Sequence, residues 1–230
     1  MLKRSDLEPD QVAEVDWLKV RSGALCALPI GMGKTIICLT ALTDIREVYG
    51  PWRVLLVSTK SICNLTWEQE IAKWEHTAGK WSYANAAGRN KKAAQAGADI
   101  TAVNFESIEW YLDLVDEGKV ELPEILVVDE SSKFKAPTAK RTARLAGMRY
   151  VSKSKGIKHY QNFPGYIHRF KRRFLLSATP NPESYGDLWA QSCLIDTRRR
   201  LGENPTDFRR TYCQRDRSGF GWDEIGRAHV

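Results

Sequence analysis

Ala24-Leu25-Cys26-Ala27-Leu28-Pro29-Ile30-Gly31-Met32-Gly33-Lys34-Thr35 is the stretch that decides the fold. A short apolar run, Ala24–Pro29, leads into Gly-x-Gly-Lys-Thr. Ile36, Leu39, Ile45 and Val48 then recur at helical spacing over Thr35–Val48. The pattern is strand, loop, helix. Glycines at 31 and 33 let the loop's backbone N–H groups, those of Ile30 and Met32 included, approach a phosphate, and the helix N-terminus adds a favourable dipole. Lys34 would reach the β- and γ-phosphates, and the Thr35 hydroxyl would hold Mg²⁺. Leu28 stands where the general phosphate-loop pattern has its first glycine. The plain alternative, a chance glycine turn, is disfavoured by the strand before it and the helix after it.

Four more runs, Arg53–Ser58, Asp99–Asn104, Glu124–Asp129 and Arg173–Ser177, are continuously apolar rather than alternating, as buried parallel strands are. Helix-like stretches, Ser61–Thr77, Phe105–Val115 and Thr138–Ala146, lie among them. The alternation predicts an α/β fold, a mostly parallel sheet with helices on both faces. Ligands of such sheets sit beyond the carboxyl ends of the strands. Chemistry is therefore expected after Pro29, Ser58, Asn104, Asp129 and Ser177.

The chain has 230 residues, 43% hydrophobic and 27% charged, which is ordinary for a globular protein and excludes collagen, coiled coil or wholesale disorder. No apolar run approaches the length of a membrane span. Five cysteines without a CxxC pair read as reduced thiols, and four scattered histidines argue against a zinc site. The expected location is the cytoplasm.

Charge is unevenly placed. The net charge is +7, yet Ser131–Arg173 holds 13 Lys or Arg and no acid, leaving the remainder at −6. Such segregation points to a polyanion, most simply nucleic acid. Lys153, Lys155, Lys158 and Arg172 are the candidate nucleic-acid contacts. A solvated loop is the alternative reading of the same charges. The interleaved aromatics Tyr150, Tyr160, Phe163, Tyr166 and Phe170 could stack bases, but packing of the loop is the favoured reading.

The strand Glu124–Val128 runs into Asp129-Glu130-Ser131-Ser132. Asp129 would hold Mg²⁺, partly through water, and Glu130 would orient or deprotonate an attacking water. Adjacent strand residues point to opposite faces, which could divide the two roles. The last strand ends in Ser177-Ala178-Thr179-Pro180, small hydroxyl residues able to couple a γ-phosphate site to a nucleic-acid surface. Upstream, a helix opening at Pro9-Asp10-Gln11 places a carboxamide that could pair with adenine N6 and N7.

Together these motifs resemble the first RecA-like lobe of a superfamily 2 helicase of the Swi/Snf type, over almost the whole chain. Gln11 with Trp17-Leu18 looks like the Q motif, and Gly31–Thr35 like motif I. Val54–Ser58 through Trp67, Glu70, Lys73 and Trp74 looks like motif Ia and its helix. Thr101–Glu106 sits where motif Ib belongs. Asp129–Ser132 is a DExx-box variant, and Ser177–Asn181 followed by Asp187-Leu188-Trp189 is similar to motif III. Glu130–Lys135, Leu201-Gly202 and Phe208-Arg209-Arg210-x-Tyr212 are similar to bacteriophage members. Asp10 replaces the aromatic residue usual before the glutamine, and Ser132 replaces the common histidine of the box.

The resemblance implies a DNA-dependent ATPase that translocates on double-stranded DNA without sequence preference, using ATP and Mg²⁺. It also implies a second RecA-like lobe carrying motifs IV to VI and an arginine finger, which no stretch of this sequence resembles. Residues 1–223 are expected to form the ATP-binding domain. Glu224–Val230 matches one reading frame of a common sequencing adapter and is set aside as a tail. Two rival readings are a stand-alone nucleic-acid-binding module without turnover, and a phosphate-loop ATPase acting on protein or small molecules.

Overall fold

The computed structural model describes residues 1–136, 139–152, 158–162, 165–181, 186–196, 200–215 and 222–224. Two compact units emerge: Met1–Ser131 with Arg169–Ala178, and Ser132–His168 with Thr179–Val230.

The first unit opens with helix α1 (Pro9–Lys19) and strand β1 (Gly23–Ala27). Helix α2 (Lys34–Tyr49), strand β2 (Val54–Ser58) and helix α3 (Trp67–Lys73) follow. Next come β3 (Tyr83–Asn85), the short α4 (Lys91–Ala94), β4 (Ile100–Asn104), α5 (Ile108–Asp116) and β5 (Ile125–Asp129). In the second unit lie α6 (Lys140–Ala146), β6 (Met148–Ser152) and β7 (Lys158–Asn162). The chain returns to the first unit for β8 (Arg172–Ser177). The second unit closes with α7 (Gly186–Asp196), α8 (Pro205–Tyr212), β9 (Cys213–Arg215) and β10 (Trp222–Glu224).

Six strands form one sheet in the order β1-β8-β5-β2-β4-β3, with every neighbouring pair parallel. Parallel strands buried on both faces need apolar side chains at every position. All five residues of β2, β4 and β5 are buried, which accounts for their unbroken apolar runs. On one face, Val54, Leu56, Ile100, Ala102, Ile125, Val127, Phe174 and Leu176 join a core with Val15 and Leu18 of α1, Ile36–Leu39 of α2, and Trp67 and Ile71 of α3. In the second unit, β6 pairs with β7 and β9 with β10, both antiparallel. There Asn204 caps α8 by accepting from the N–H groups of Thr206 and Asp207, the standard service of an N-cap side chain.

Several elements differ from expectation, among them α4, β6, β7, β9 and β10, which had no expected counterpart. The helix expected over Ser61–Thr77 is a π turn, Ile62–Thr66, followed by α3, which stops at Lys73. Trp74 turns extended because its strand-like neighbours bond to the N-terminus: the Leu2 N–H donates to Lys73 O, and the Glu75 N–H to Leu2 O. Strand β3, only three residues long, had no counterpart among the expected strands.

All five cysteines are free and buried. Among the described residues, no helix is long and apolar enough to cross a membrane.

Candidate nucleotide site

Each parallel strand of the sheet ends on the same edge, and the predicted chemistry collects there. The loop Pro29–Gly33 follows β1, Asp129-Glu130 ends β5, and Ser177 ends β8, which lies between them. Ser58 and Asn104 end β2 and β4 on the other side of β5.

Gly31 and Gly33 have φ of +85° and +75°, values that L side chains rarely adopt, so glycine is required at both. They differ in surroundings. A Cβ on Gly31 would meet nothing within 4 Å, whereas one on Gly33 would lie 2.5 Å from Gln11 Nε2. Ile30 and Met32 are exposed on this loop, and α2 starts directly after it. Lys34 folds its ammonium back into the loop, donating to Leu28 O at 2.8 Å and Pro29 O at 3.0 Å. The cation is thereby held beside the loop rather than spread into solvent. Thr35 is half-buried in the first turn of α2.

Gln11 sits at the third position of α1. Its Oε1 accepts from the Glu8 N–H at 3.0 Å, and its Nε2 donates to Met32 O at 3.2 Å. The carboxamide therefore ties α1 to the phosphate loop, and both of its ends are engaged there.

Asp129 is buried, and both its oxygens accept hydrogen bonds. Oδ2 takes the Trp67 indole N–H at 2.9 Å, and Oδ1 takes the Glu130 backbone N–H at 3.1 Å. Its carbonyl accepts from Ser58 Oγ at 3.1 Å. Burial pushes the carboxyl above its ordinary range, opposed by the Trp67 bond and by the charge of Lys34. Glu130 has φ +64°, a left-handed conformation for a side chain that disfavours it. The strand's alternation thus breaks at Glu130. Strand β5 ends at Asp129, so Asp129 and Glu130 are not alternating neighbours of one strand. Non-glycine strain of this kind gathers at functional sites.

Thr35 and Asp129 offer one hydroxyl and one carboxylate. This sparse, hard-oxygen set fits Mg²⁺, which keeps several waters and takes substrate phosphates rather than a full protein cage. Among the described residues no group of three His, Cys, Asp or Glu forms a metal cluster. Burial pushes the nearby Cys26 and Cys63 thiols up to about 12, so neither is a thiolate nucleophile at neutral pH.

The candidate DNA contacts fare differently. Lys153 and Lys155 lie outside the described residues, and of Lys158 only the backbone, in β7, is described. The expectation for Arg172 is corrected. Its guanidinium is buried at the opposite end of the sheet, donating to Lys19 O at 2.8 Å and Arg21 O at 2.7 Å and stacking over Tyr49. It caps the carbonyls at the end of α1. The neighbouring basic and aromatic residues also have partners: Lys171 lies over Trp52, Arg144 over Tyr166, Arg141 donates to Lys133 O, and Phe170 is buried. Of the coupling segment, Ser177 is buried at the end of β8 and Ala178 follows it. In the second unit Pro180, next to Thr179, has its carbonyl bonded by Gln191 Nε2.

Sequence reasoning placed Trp67 in a helix after β2 but gave it no partner. The indole-to-carboxylate contact spans 62 positions of sequence and carries no local signal.

A profile of the SNF2-related domain matches residues 11–154, more than half of the chain. The chain belongs to the SNF2-related family. It is 26% identical to the putative protein p41 of Acyrthosiphon pisum secondary endosymbiont phage 1, over 87% of this chain and 42% of that protein. It is also 26% identical to the probable ATP-dependent DNA helicase CHR23 of Arabidopsis thaliana, over 83% of this chain and 16% of the relative. The chain therefore spans less than half the length of either. Among solved structures, the Sulfolobus solfataricus SWI2/SNF2 ATPase core in complex with dsDNA matches with a TM-score of 0.65. That alignment covers 90% of this chain and 39% of the other at 19% identity. The same core domain in a second structure gives 0.66 over 90% and 38%. The α/β fold of this chain matches that of part of the SWI2/SNF2 ATPase core.

Proposed function

We propose that this chain is the ATP-binding lobe of a DNA-dependent ATPase that translocates along double-stranded DNA. One observation carries the reading: Lys34 and Asp129, each held by specific hydrogen bonds, stand at the carboxyl edge of one parallel sheet, with the end of β8 between their strands. Membership of the SNF2-related family supports it.

In this reading Lys34 neutralises the charge of the β- and γ-phosphates while the loop N–H groups fix their position. Thr35 and Asp129 hold Mg²⁺, and Glu130 orients the water for in-line attack. When bound, the metal supplies charge neutralisation at the phosphate oxygens. Gln11 acts on nucleotide through the loop it grips, and its second amide N–H and second oxygen lone pair are what it has left to offer adenine. Ser177, Ala178 and Thr179 leave β8 beside β5 and are the candidates for passing the state of the phosphate to DNA.

DNA is the proposed partner because Ser131–Arg173 carries 13 basic residues and no acidic one. A second RecA-like lobe of a longer chain would supply the arginine finger, an effect worth about 10³–10⁵ in rate. That this chain spans 42% and 16% of its two relatives supports the fragment reading. The test is titration of the chain with ATP and Mg²⁺. Saturable binding that disappears in Lys34→Ala, with slow turnover, is the expected result. DNA affinity indifferent to nucleotide, with no nucleotide bound, would favour a plain nucleic-acid-binding module.

A further inference from the structure

Asp129 meets its surroundings through one side chain in particular. Trp67 is fully buried, and its indole N–H donates to Oδ2 of the carboxylate at 2.9 Å. A buried indole N–H must find an acceptor, and here it has taken a carboxylate at the nucleotide site rather than a backbone carbonyl. We propose that Trp67 is a positioning residue for Asp129. Its N–H fixes the rotation of the carboxylate, so that the oxygens keep a set orientation toward Mg²⁺. This role rests on the nucleotide reading given above. Trp67 touches no reacting atom.

The aim of the indole is built, not incidental. The π turn Ile62–Thr66 directly precedes Trp67. A π turn holds one extra residue, so without it every later side chain of α3 would rotate by roughly 100°, carrying the indole away from β5. The turn is itself fastened to β3: Tyr83 Oη donates to Cys63 O at 2.6 Å, and Asn85 Nδ2 to Asn64 Oδ1 at 2.7 Å. Trp67 belongs to the same buried core as Ile71 and Cys63. β3, the π turn and Trp67 thus form a continuous support for the Asp129 carboxylate. Removing the outer partner of a metal-holding group commonly weakens metal binding by about 10- to 100-fold.

The experiment measures nucleotide binding by the whole chain in EDTA and across a Mg²⁺ titration, for the unaltered protein, Trp67→Phe, Asp129→Asn and the double variant. A second form keeps the ring shape and replaces the Trp67 N–H by sulfur, the benzothienyl analogue, in case Phe leaves a cavity that unfolds the chain. The donor-less forms are expected to leave affinity in EDTA unchanged and to raise the Mg²⁺ midpoint about tenfold. In the Asp129→Asn background, Trp67→Phe is expected to add nothing to that midpoint. A folded benzothienyl form with an unshifted Mg²⁺ midpoint would overturn the positioning role alone. Equal loss of affinity with and without Mg²⁺ would overturn it too, since a purely structural tryptophan would do that. Failure of the unaltered chain to bind nucleotide under any condition would instead overturn the nucleotide reading, and the role with it.

Discussion

At single positions, what matters at the site is conformation as much as chemistry. Gly31 and Gly33 share a left-handed backbone, but only Gly33 is pressed against Gln11. Gly31→Ala should therefore cost only the strain of the backbone, about 1 kcal/mol. Gly33→Ala should also displace the Gln11 amide and weaken nucleotide affinity further. Nucleotide titration of both variants checks this, and Gln11→Ala should relieve part of the Gly33→Ala defect. Glu130 is the converse case, a side chain where glycine would be at ease. Glu130→Gly is expected to leave stability unchanged or to raise it by up to about 1 kcal/mol in urea denaturation, while turnover of the complete enzyme is lost. The glycine loop and the Asp-Glu pair were legible because residue type and spacing carry their chemistry. The Glu130 bend and the Trp67 contact were not, because one is a backbone angle and the other joins residues brought together only by the sheet.

Among the elements, the strands were the most readable, because burial on both faces of a parallel sheet demands unbroken apolar runs. The helix after β2 was readable in place but not in form. Its π turn answers to β3, and its early end answers to Leu2, neither of which is local. Arg172 misled for a related reason. Within Arg169-Phe170-Lys171-Arg172-Arg173 all the cations look alike in sequence, yet Arg172 is buried against the end of α1. Arg172→Ala should lower stability by about 2–3 kcal/mol, the scale of lost charge-assisted bonds to backbone carbonyls, and leave DNA affinity unchanged. Urea midpoints with a parallel DNA titration separate the two. His76 gives α2 a pH-dependent neighbour. Its Nε2 meets Thr40 Oγ1 at 2.8 Å, and its Nδ1 is buried without a partner. Burial, then the charges of Arg4 and Lys80, hold its pKa below the ordinary 6.5, against Asp44 and Glu47. The folded state thus prefers the neutral ring. Its contribution is fully present above about pH 6.5 and is lost as pH falls through the lowered value. The fall in urea midpoint between pH 7 and pH 5 should shrink in His76→Gln.

For the whole molecule, the charge segregation makes the clearest demand. If the basic segment meets DNA through phosphates, affinity should fall with salt at a log–log slope near −0.9 per phosphate neutralised. Removing Lys153, Lys155 and Lys158 together should weaken binding to all sequences alike and flatten that slope. The central claim is that the edge formed by β1, β8 and β5 binds Mg²⁺ with nucleotide. Calorimetric titration of ATP into the chain, with and without Mg²⁺, beside Lys34→Ala and Asp129→Asn, tests it most directly. The expected result is binding that Lys34→Ala abolishes and whose Mg²⁺ midpoint Asp129→Asn raises. Undiminished affinity in a folded Lys34→Ala protein would contradict it.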